Sequence, residues 1–94
     1  MPTYLRLVKT TPKGLANIKN VSGLRDANKR IIEGNGGKML NVWATMGPYD
    51  FVALIEAPNN ETMTKISALI TAEGNIVGET IPAIPFDEFA KAMQ

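Results

Sequence analysis

A run of five apolar residues, Phe51 to Ile55, constrains the possible folds of this chain more than any other sequence feature. They follow a Gly47-Pro48 turn and are closed by Pro58. A strand of this composition has no face suited to water, so both sides of its sheet must be covered. In a chain of 94 residues the helices can cover only one side. We therefore expect the other side to contact a second copy of the protein.

The length and composition predict one domain spanning residues 1–94. The charges of ten basic and nine acidic residues nearly cancel, so the sequence lacks the excess of positive charge that is typical of nucleic-acid-binding proteins. The N-terminus lacks the apolar run of a signal peptide, and no segment approaches the ~20 apolar residues that cross a bilayer. Because cysteine is also absent, these features indicate a cytoplasmic protein that contacts neither nucleic acid nor membrane.

The chain contains no histidine and no cysteine, and this limits its chemistry. A Ser-His-Asp triad, a Cys-His pair, a haem-ligating imidazole and a thiolate or imidazole zinc site are all excluded. We expect no metal site and no cofactor. An enzyme of this composition would have to work with carboxylates, Tyr, Lys, Arg or a bound cofactor.

Turn residues and apolar spacing predict the element order β-α-β-β-α-β with a short terminal helix. The predicted strands cover residues 3–9, 38–46, 49–57 and 76–81, and the predicted helices cover 12–20, 22–33, a segment between Asn59 and Gly74, and 85–93. Pro12 after a Thr cap suits a helix start, and Ser22 is a potential cap where the first helical region is interrupted. Right-handed crossovers then give a ferredoxin-like α+β sandwich. Its four-stranded antiparallel sheet carries the helices on one face, with the first and third strands central.

Helical spacing also assigns the buried side chains. The first helical region is expected to bury a stripe formed by Leu15, Ile18, Leu24, Ala27 and Ile31. The terminal helix is expected to dock through Phe86 or Phe89.

Several motifs give the chain a resemblance to a known family over nearly its whole length. They are Trp43, the turn from Gly47 to Asp50, the segment from Val52 to Pro58, Gly36-Gly37-Lys38, Gly74-Asn75, Thr80, Ala83 and the closing Phe86-Asp87-Glu88-Phe89. With these residues the chain resembles the GYD domain family of small bacterial and archaeal proteins. It departs from the pattern at Pro48, which stiffens the turn. The resemblance implies the dimeric α/β-barrel class, in which two sheets pack face to face, and it supplies no catalytic residue.

Tyr49 and Asp50 follow the Gly-Pro turn at the start of the third predicted strand. A phenol and a carboxylate in this position could hold a small ligand at a pocket mouth. Alternatively, Asp50 accepts backbone N–H groups at the turn while Tyr49 packs at the rim. We favour this structural interpretation.

Glu56 ends the apolar run and shares a strand face with Val52 and Leu54. A carboxylate drawn into an apolar interface either pairs with a cation or favours its protonated form, and such groups cluster at functional sites. A structural alternative places Glu56 beyond the covered zone, paired with a nearby Lys or supporting the following turn. If the protein has an acid or base, Glu56 is the first candidate.

Tyr4 and Arg6 share one face of the first strand, and Asn41 and Trp43 share one face of the second. If the two pairs lie on the same face of the sheet and that face meets the partner subunit, the four residues could line a pocket between two sheets. They could equally be interface packing, because Trp, Tyr and Arg are enriched at protein contacts.

Three functions remain open from the sequence. The leading hypothesis is a non-catalytic homo-oligomer that binds or senses a small molecule at the sheet interface. The second is a small cofactor-free oxygenase or isomerase that uses Glu56 or Asp50 as its base. The third is a purely structural oligomer without a ligand.

Overall fold

The computed structural model describes residues 1–94 and contains one four-stranded antiparallel sheet. Its strands are β1 (Thr3–Thr10), β2 (Lys38–Ala44), β3 (Phe51–Glu56) and β4 (Ile76–Ala83). They lie in the order β2-β3-β1-β4, so the first and third strands are central. This confirms the predicted ferredoxin-like α+β fold.

Four α-helices connect and follow the strands: α1 (Pro12–Ala16), α2 (Val21–Gly34), α3 (Asn60–Ala72) and α4 (Phe86–Ala92). A single 3-10 turn, Ile18–Asn20, separates α1 from α2, so the predicted interruption is present. The predicted cap is wrong, because α2 begins at Val21 and no side-chain cap bond precedes it. The helices lack the length and hydrophobicity of membrane-spanning segments.

Side-chain caps explain where two of the helices begin. The Thr11 hydroxyl accepts the Gly14 N–H at 3.1 Å, with Pro12 in the first turn of α1. The Asn59 side chain accepts the Thr62 N–H at 2.8 Å at the start of α3. Each bond satisfies an N–H group that the helix itself leaves without a partner.

Alternation along β1 separates the two faces of the sheet. Tyr4, Arg6 and Val8 are buried beneath the helices, and their cross-strand partners on β3 are Ile55, Ala53 and Phe51. Directly opposed residues of an antiparallel pair project to the same side. We call this helix-packed side of the sheet the covered face, and the side that carries Leu5 and Leu7 the open face.

The core lies between the covered face and the helices α2 and α3. Its buried hydrophobic residues are Tyr4, Val8, Ile32, Ile55, Ala57, Met63, Ile66, Ile70 and Ile76.

The stripe predicted for the first helical region is partly wrong. Leu15 and Ile18 are exposed, and the buried residues of α2 are Asn28 and Ile32. The buried residue of α1 is Gly14, which lies against the backbone of Asn75. This close backbone contact turns the longer side chains of α1 toward solvent.

Helix α4 does not dock as predicted within its own chain. Phe86 is 76% exposed, Phe89 is 49% exposed, and no residue of α4 is buried. The two rings contact each other instead, with centroids 6.4 Å apart. The radius of gyration is 13.9 Å, whereas a compact domain of this length has about 12 Å. Helices α2 and α3 already occupy the covered face, so α4 does not pack on that face of its own chain.

Candidate functional site

A cavity of about 200 Å³ lies between α2 and the covered face of the sheet. Thirteen of its sixteen lining residues are hydrophobic, so the cavity suits the apolar part of a ligand. None of the lining residues is acidic, so a negatively charged group of the ligand would meet no carboxylate there. The lining residues are Arg6, Val8, Val21, Leu24, Arg25, Asn28, Ile32, Met39, Val42, Trp43, Ala44, Phe51, Ala53, Ile55, Ile70 and Ile76.

Arg6 is the deepest charged group of this cavity, with 3% of its surface exposed. Its Nη1 donates to Thr80 Oγ1 at 3.0 Å and its Nη2 donates to Thr71 Oγ1 at 3.1 Å. Both partners are neutral hydroxyls, Nε has no partner, and the ion pairs of the chain do not include Arg6. Burial lowers the pKa of the Arg6 guanidinium below its ordinary value. Arg6 is therefore a buried cation without a protein counterion.

Asn28 supplies a second polar group to the same cavity. It is buried on α2, and its Oδ1 has no hydrogen-bond partner. A buried amide oxygen without a donor is costly, so this atom is poised to accept a hydrogen bond from a bound molecule.

The mouth of the cavity is marked by its exposed lining residues, which are Arg25, Val42, Trp43 and Ala44. Arg25 Nε lies 3.2 Å from Asp26 Oδ1, a contact between two half-exposed side chains. The cavity therefore has one guanidinium inside and a second at its entrance.

The proposed grouping of Tyr4, Arg6, Asn41 and Trp43 on one face is wrong. Tyr4 and Arg6 lie on the covered face, where the Tyr4 hydroxyl donates to Asn60 Oδ1. Asn41 and Trp43 oppose Leu54 and Val52, which places them on the open face. Of the four, Arg6 and Trp43 border the cavity, Trp43 from the edge strand β2.

A bulge in β2 controls which of its residues face the open side. Met39 opposes Ile55 and Asn41 opposes Leu54, which leaves Leu40 as an extra residue between the two pairs. The extra residue locally breaks the simple alternation of the strand.

Asp50 has a structural role at the end of the sheet. Its Oδ2 accepts the Thr10 backbone N–H at 2.8 Å and the Thr10 hydroxyl at 3.1 Å. The backbone carbonyl of Tyr49 accepts the Thr45 hydroxyl at 2.7 Å. Both residues precede β3, in the loop between β2 and β3, and neither borders the cavity.

Glu56 lies on the open face at the end of β3, opposite Thr3 on one side and Lys38 on the other. It is half-buried, makes no ion pair and does not border the cavity. The two carboxylates considered as bases are thus separate from the cavity. No group of three or more His, Cys, Asp or Glu side chains could hold a metal ion.

The open face carries an apolar surface that crosses all four strands. By register it comprises Leu5, Leu7, Trp43, Val52, Leu54, Val77 and Ile81. Charged residues of both signs border this surface on the same side, namely Lys9, Lys38, Glu56 and Glu79.

Sequence reasoning missed Asn28 as a site residue. Its signal is the spacing of Leu24, Asn28 and Ile32. Residues four apart lie on one helix face, so the Asn28 amide lies between two apolar side chains on that face. A polar residue within a buried stripe indicates either a hydrogen bond inside the core or a ligand contact.

Comparison with known proteins decides the family. The profile of the GYD domain matches residues 4–93. The chain belongs to the GYD domain family. This agrees with the resemblance carried by Trp43 and the Gly47–Asp50 turn.

One protein resembles this chain in sequence over most of its length, and two solved structures resemble it in fold. A Thermus thermophilus protein, named glutamine synthetase and cystathionine beta-lyase binding protein, is 29% identical over 86 residues, covering 90% of each chain. The match to the crystal structure of TTHA0845, also from Thermus thermophilus, covers 90% of this chain and 95% of the TTHA0845 chain. Its TM-score is 0.59 and the two sequences are 21% identical. The match to the structure of FFRP-DM1 covers 89% of this chain and 100% of the FFRP-DM1 chain, with a TM-score of 0.63 and 17% identity. These structural likenesses support the fold.

Proposed function

We propose that this GYD domain protein is a non-catalytic binding protein. It holds a small molecule in the cavity of each subunit and assembles as a homo-oligomer through its open face. The observation that carries the proposal is the cavity itself, which is apolar, contains buried Arg6 and has no carboxylate, thiol or imidazole in its lining. Such a lining can orient and retain a ligand, while a proton transfer near neutral pH needs an acid or base within reach.

The open face supports assembly with a second copy. Its apolar surface spans the whole sheet, and a monomer rarely leaves so continuous an apolar surface in water. The border combines Lys9 and Lys38 with Glu56 and Glu79, and a two-fold arrangement pairs a surface with itself. Charges of both signs on one border allow acidic groups to meet basic ones across that axis.

Native mass spectrometry of the gently purified protein tests both parts. We expect a mass that is an even multiple of the 10.2 kDa chain. We also expect a reproducible excess mass for each subunit, which is lost after unfolding and refolding. A bare 10.2 kDa monomer without bound mass contradicts the proposal.

A pair of variants locates the assembly surface. Leu54 lies in the centre of the open face, whereas Leu15 is exposed on α1. We expect Leu54→Lys to yield monomers, because a desolvated ammonium without a partner is costly in an interface. Leu15→Lys adds the same charge elsewhere and should leave the mass of the assembly unchanged. Equal masses for both variants would place the interface elsewhere.

A second candidate function is suggested by the relative named as a binding protein for glutamine synthetase and cystathionine beta-lyase. Helix α4 favours it, because Phe86, Phe89 and Met93 are exposed at the end of the chain and contact no other element of their own chain extensively. We expect the purified protein to bind one of these two enzymes from its own organism in a surface-immobilised binding assay. Phe86→Ser should weaken that binding, whereas Leu15→Ser should not.

A further inference from the structure

We propose that the cavity under α2 binds a small carboxylate that has an apolar body and one hydroxyl group. This rests on the proposed binding function and names the class of its ligand. The inference is carried by Arg6, Asn28 and the composition of the cavity wall.

The charge of Arg6 calls for an anion. A guanidinium has five N–H donors and stays protonated in proteins, and only two hydroxyl groups bond to this one. A buried charge is stable when an opposite charge or a full set of hydrogen bonds accompanies it. Arg6 has neither from its own chain.

That anion must enter through the cavity mouth. Arg6 lies on the covered face, so the sheet separates it from any second copy that packs on the open face. No acidic residue lines the cavity, and the cation Arg25 stands at the entrance. A ligand therefore passes Arg25, which contacts Asp26, as it enters and meets the uncompensated charge of Arg6 inside.

The rest of the wall selects a carboxylate among anions. Phosphate carries more charge and needs donors on several sides, while this wall is hydrophobic at thirteen of sixteen positions. A carboxylate presents two oxygens in a plane that matches the guanidinium fork. Its apolar body can contact Leu24, Phe51 and Ala53.

Asn28 adds a requirement for a donor. Its unpartnered Oδ1 accepts hydrogen bonds, so the ligand should offer an N–H or O–H group. An ammonium group would lie beside the guanidinium of Arg6, in a cavity whose lining includes no carboxylate. A neutral hydroxyl meets the need of Asn28 without this repulsion.

The volume limits the size of the apolar body. A dry cavity of about 150 Å³ accommodates benzene. The cavity of about 200 Å³ therefore suits a branched chain or single ring together with its carboxylate.

A series of four compounds with one carbon skeleton tests each part of the proposal. The compounds are 2-hydroxy-4-methylpentanoate, 4-methylpentanoate, leucine and 4-methylpentan-1-ol. Binding is measured by the fluorescence of Trp43, the single tryptophan, and by the side-chain amide signals of Asn28 in NMR spectra. The protein is first unfolded and refolded to remove any bound molecule.

We expect the hydroxy acid to bind most tightly and to shift the Asn28 amide signals. The acid without the hydroxyl should bind several-fold more weakly, and leucine and the alcohol at least tenfold more weakly. Equal affinity for the alcohol overturns recognition of the carboxylate while leaving small-molecule binding intact. Tighter binding of leucine overturns the hydroxyl assignment. Failure of all four compounds to bind at about 10 mM overturns the ligand class.

Arg6→Met removes the charge and keeps a long apolar side chain. It should reduce affinity for the hydroxy acid at least tenfold, whereas Arg30→Met, at an exposed position outside the cavity, should not change it. If Arg6→Met fails to fold, Ala53→Leu fills the cavity and should abolish binding with Arg6 intact. Unchanged affinity in either cavity variant overturns the site. Native mass spectrometry tests the binding function separately, because a retained molecule of another class supports that function and contradicts this ligand.

Discussion

At the residue scale, Arg6 stands out because its burial is not matched by an opposite charge. The hydroxyls of its two partners, Thr71 and Thr80, can make other hydrogen bonds in its absence. Thr80 Oγ1 also lies 2.8 Å from Ser67 Oγ, and Thr71 is exposed to water. Removing the guanidinium therefore strands no buried oxygen, in contrast to the loss of one member of a buried ion pair.

We expect Arg6→Met to raise the free energy of unfolding of the ligand-free protein by about 1 kcal/mol, because an apolar side chain replaces an uncompensated buried charge. Urea denaturation measures this change. Arg30→Met, at an exposed site, should change the same free energy by less than about 0.5 kcal/mol. A clear loss of stability in Arg6→Met would show that the guanidinium holds the fold together.

The lowered pKa of Arg6 also has a definite pH dependence. The folded protein holds this proton less strongly than the unfolded chain does. Stability therefore rises with pH only in the window between the lowered pKa of Arg6 in the folded protein and the ordinary arginine pKa of the unfolded chain. Arginine stays protonated at lower pH, so Arg6 should add no slope to the unfolding free energy between about pH 6 and pH 9. Comparing that slope in the wild type and in Arg6→Met checks this expectation, and a difference between them contradicts it.

The Asp50 carboxylate, which the sequence suggested as a possible base, has a structural role. Its two bonds to Thr10 connect the ends of β1 and β3. We expect Asp50→Ala to cost about 1–2 kcal/mol of stability, measured by urea denaturation, because charge-assisted bonds to the backbone are lost. Asp26→Ala removes an exposed ion pair and should cost less than about 1 kcal/mol. Equal effects would remove the case for Asp50 as a structural acceptor.

At the element scale, α1 is held against the turn between α3 and β4. The Thr11 N–H donates to Asn75 O at 3.0 Å, the Thr11 hydroxyl donates to Gly74 O at 2.6 Å, and Lys13 Nζ donates to Glu73 O at 2.7 Å. A Cβ at Gly14 would overlap the Asn75 carbonyl oxygen. The helix can approach this turn only because Gly14 has no side chain.

We expect Gly14→Ala to destabilise the fold by about 2–3 kcal/mol, because the added methyl overlaps backbone that cannot move freely. Gly34→Ala is the matched control, since nothing lies within 4 Å of its Cβ position at the end of α2. That variant should gain up to about 1 kcal/mol from helix propensity. Thermal unfolding of both variants measures the difference, and a stable Gly14→Ala protein contradicts the close packing of α1.

At the scale of the whole molecule, one chain leaves the open face and α4 without contacts. If assembly covers the open face, dissociation is part of unfolding and the melting temperature depends on concentration. We expect the melting temperature to rise by about 3 °C for each tenfold increase in protein concentration. Leu54→Lys should remove this dependence, and a wild-type melting temperature independent of concentration would contradict assembly.

The sequence by itself determined the element order, the ends of most helices and the central position of β1 and β3. These depend on local rules: Thr11 and Asn59 cap helices, glycines follow their ends, and the doubly apolar β3 must lie inside a sheet. The same apolar run at β3 also predicted a covered second face, which remains a prediction about assembly.

Only the tertiary structure decided which side chains meet. Tyr4 and Arg6 were correctly assigned to one face of β1, but whether helices or a partner cover that face depends on how the crossovers fold over the sheet. The bulge at Leu40 and the register with β3 then place Asn41 and Trp43 on the opposite face. Asn28 joins Arg6 because α2 packs its Leu24-to-Ile32 face over the sheet. Alternation and helical period are properties of single elements, whereas a cavity forms from the packing of several, so the ligand site emerged only from the folded chain.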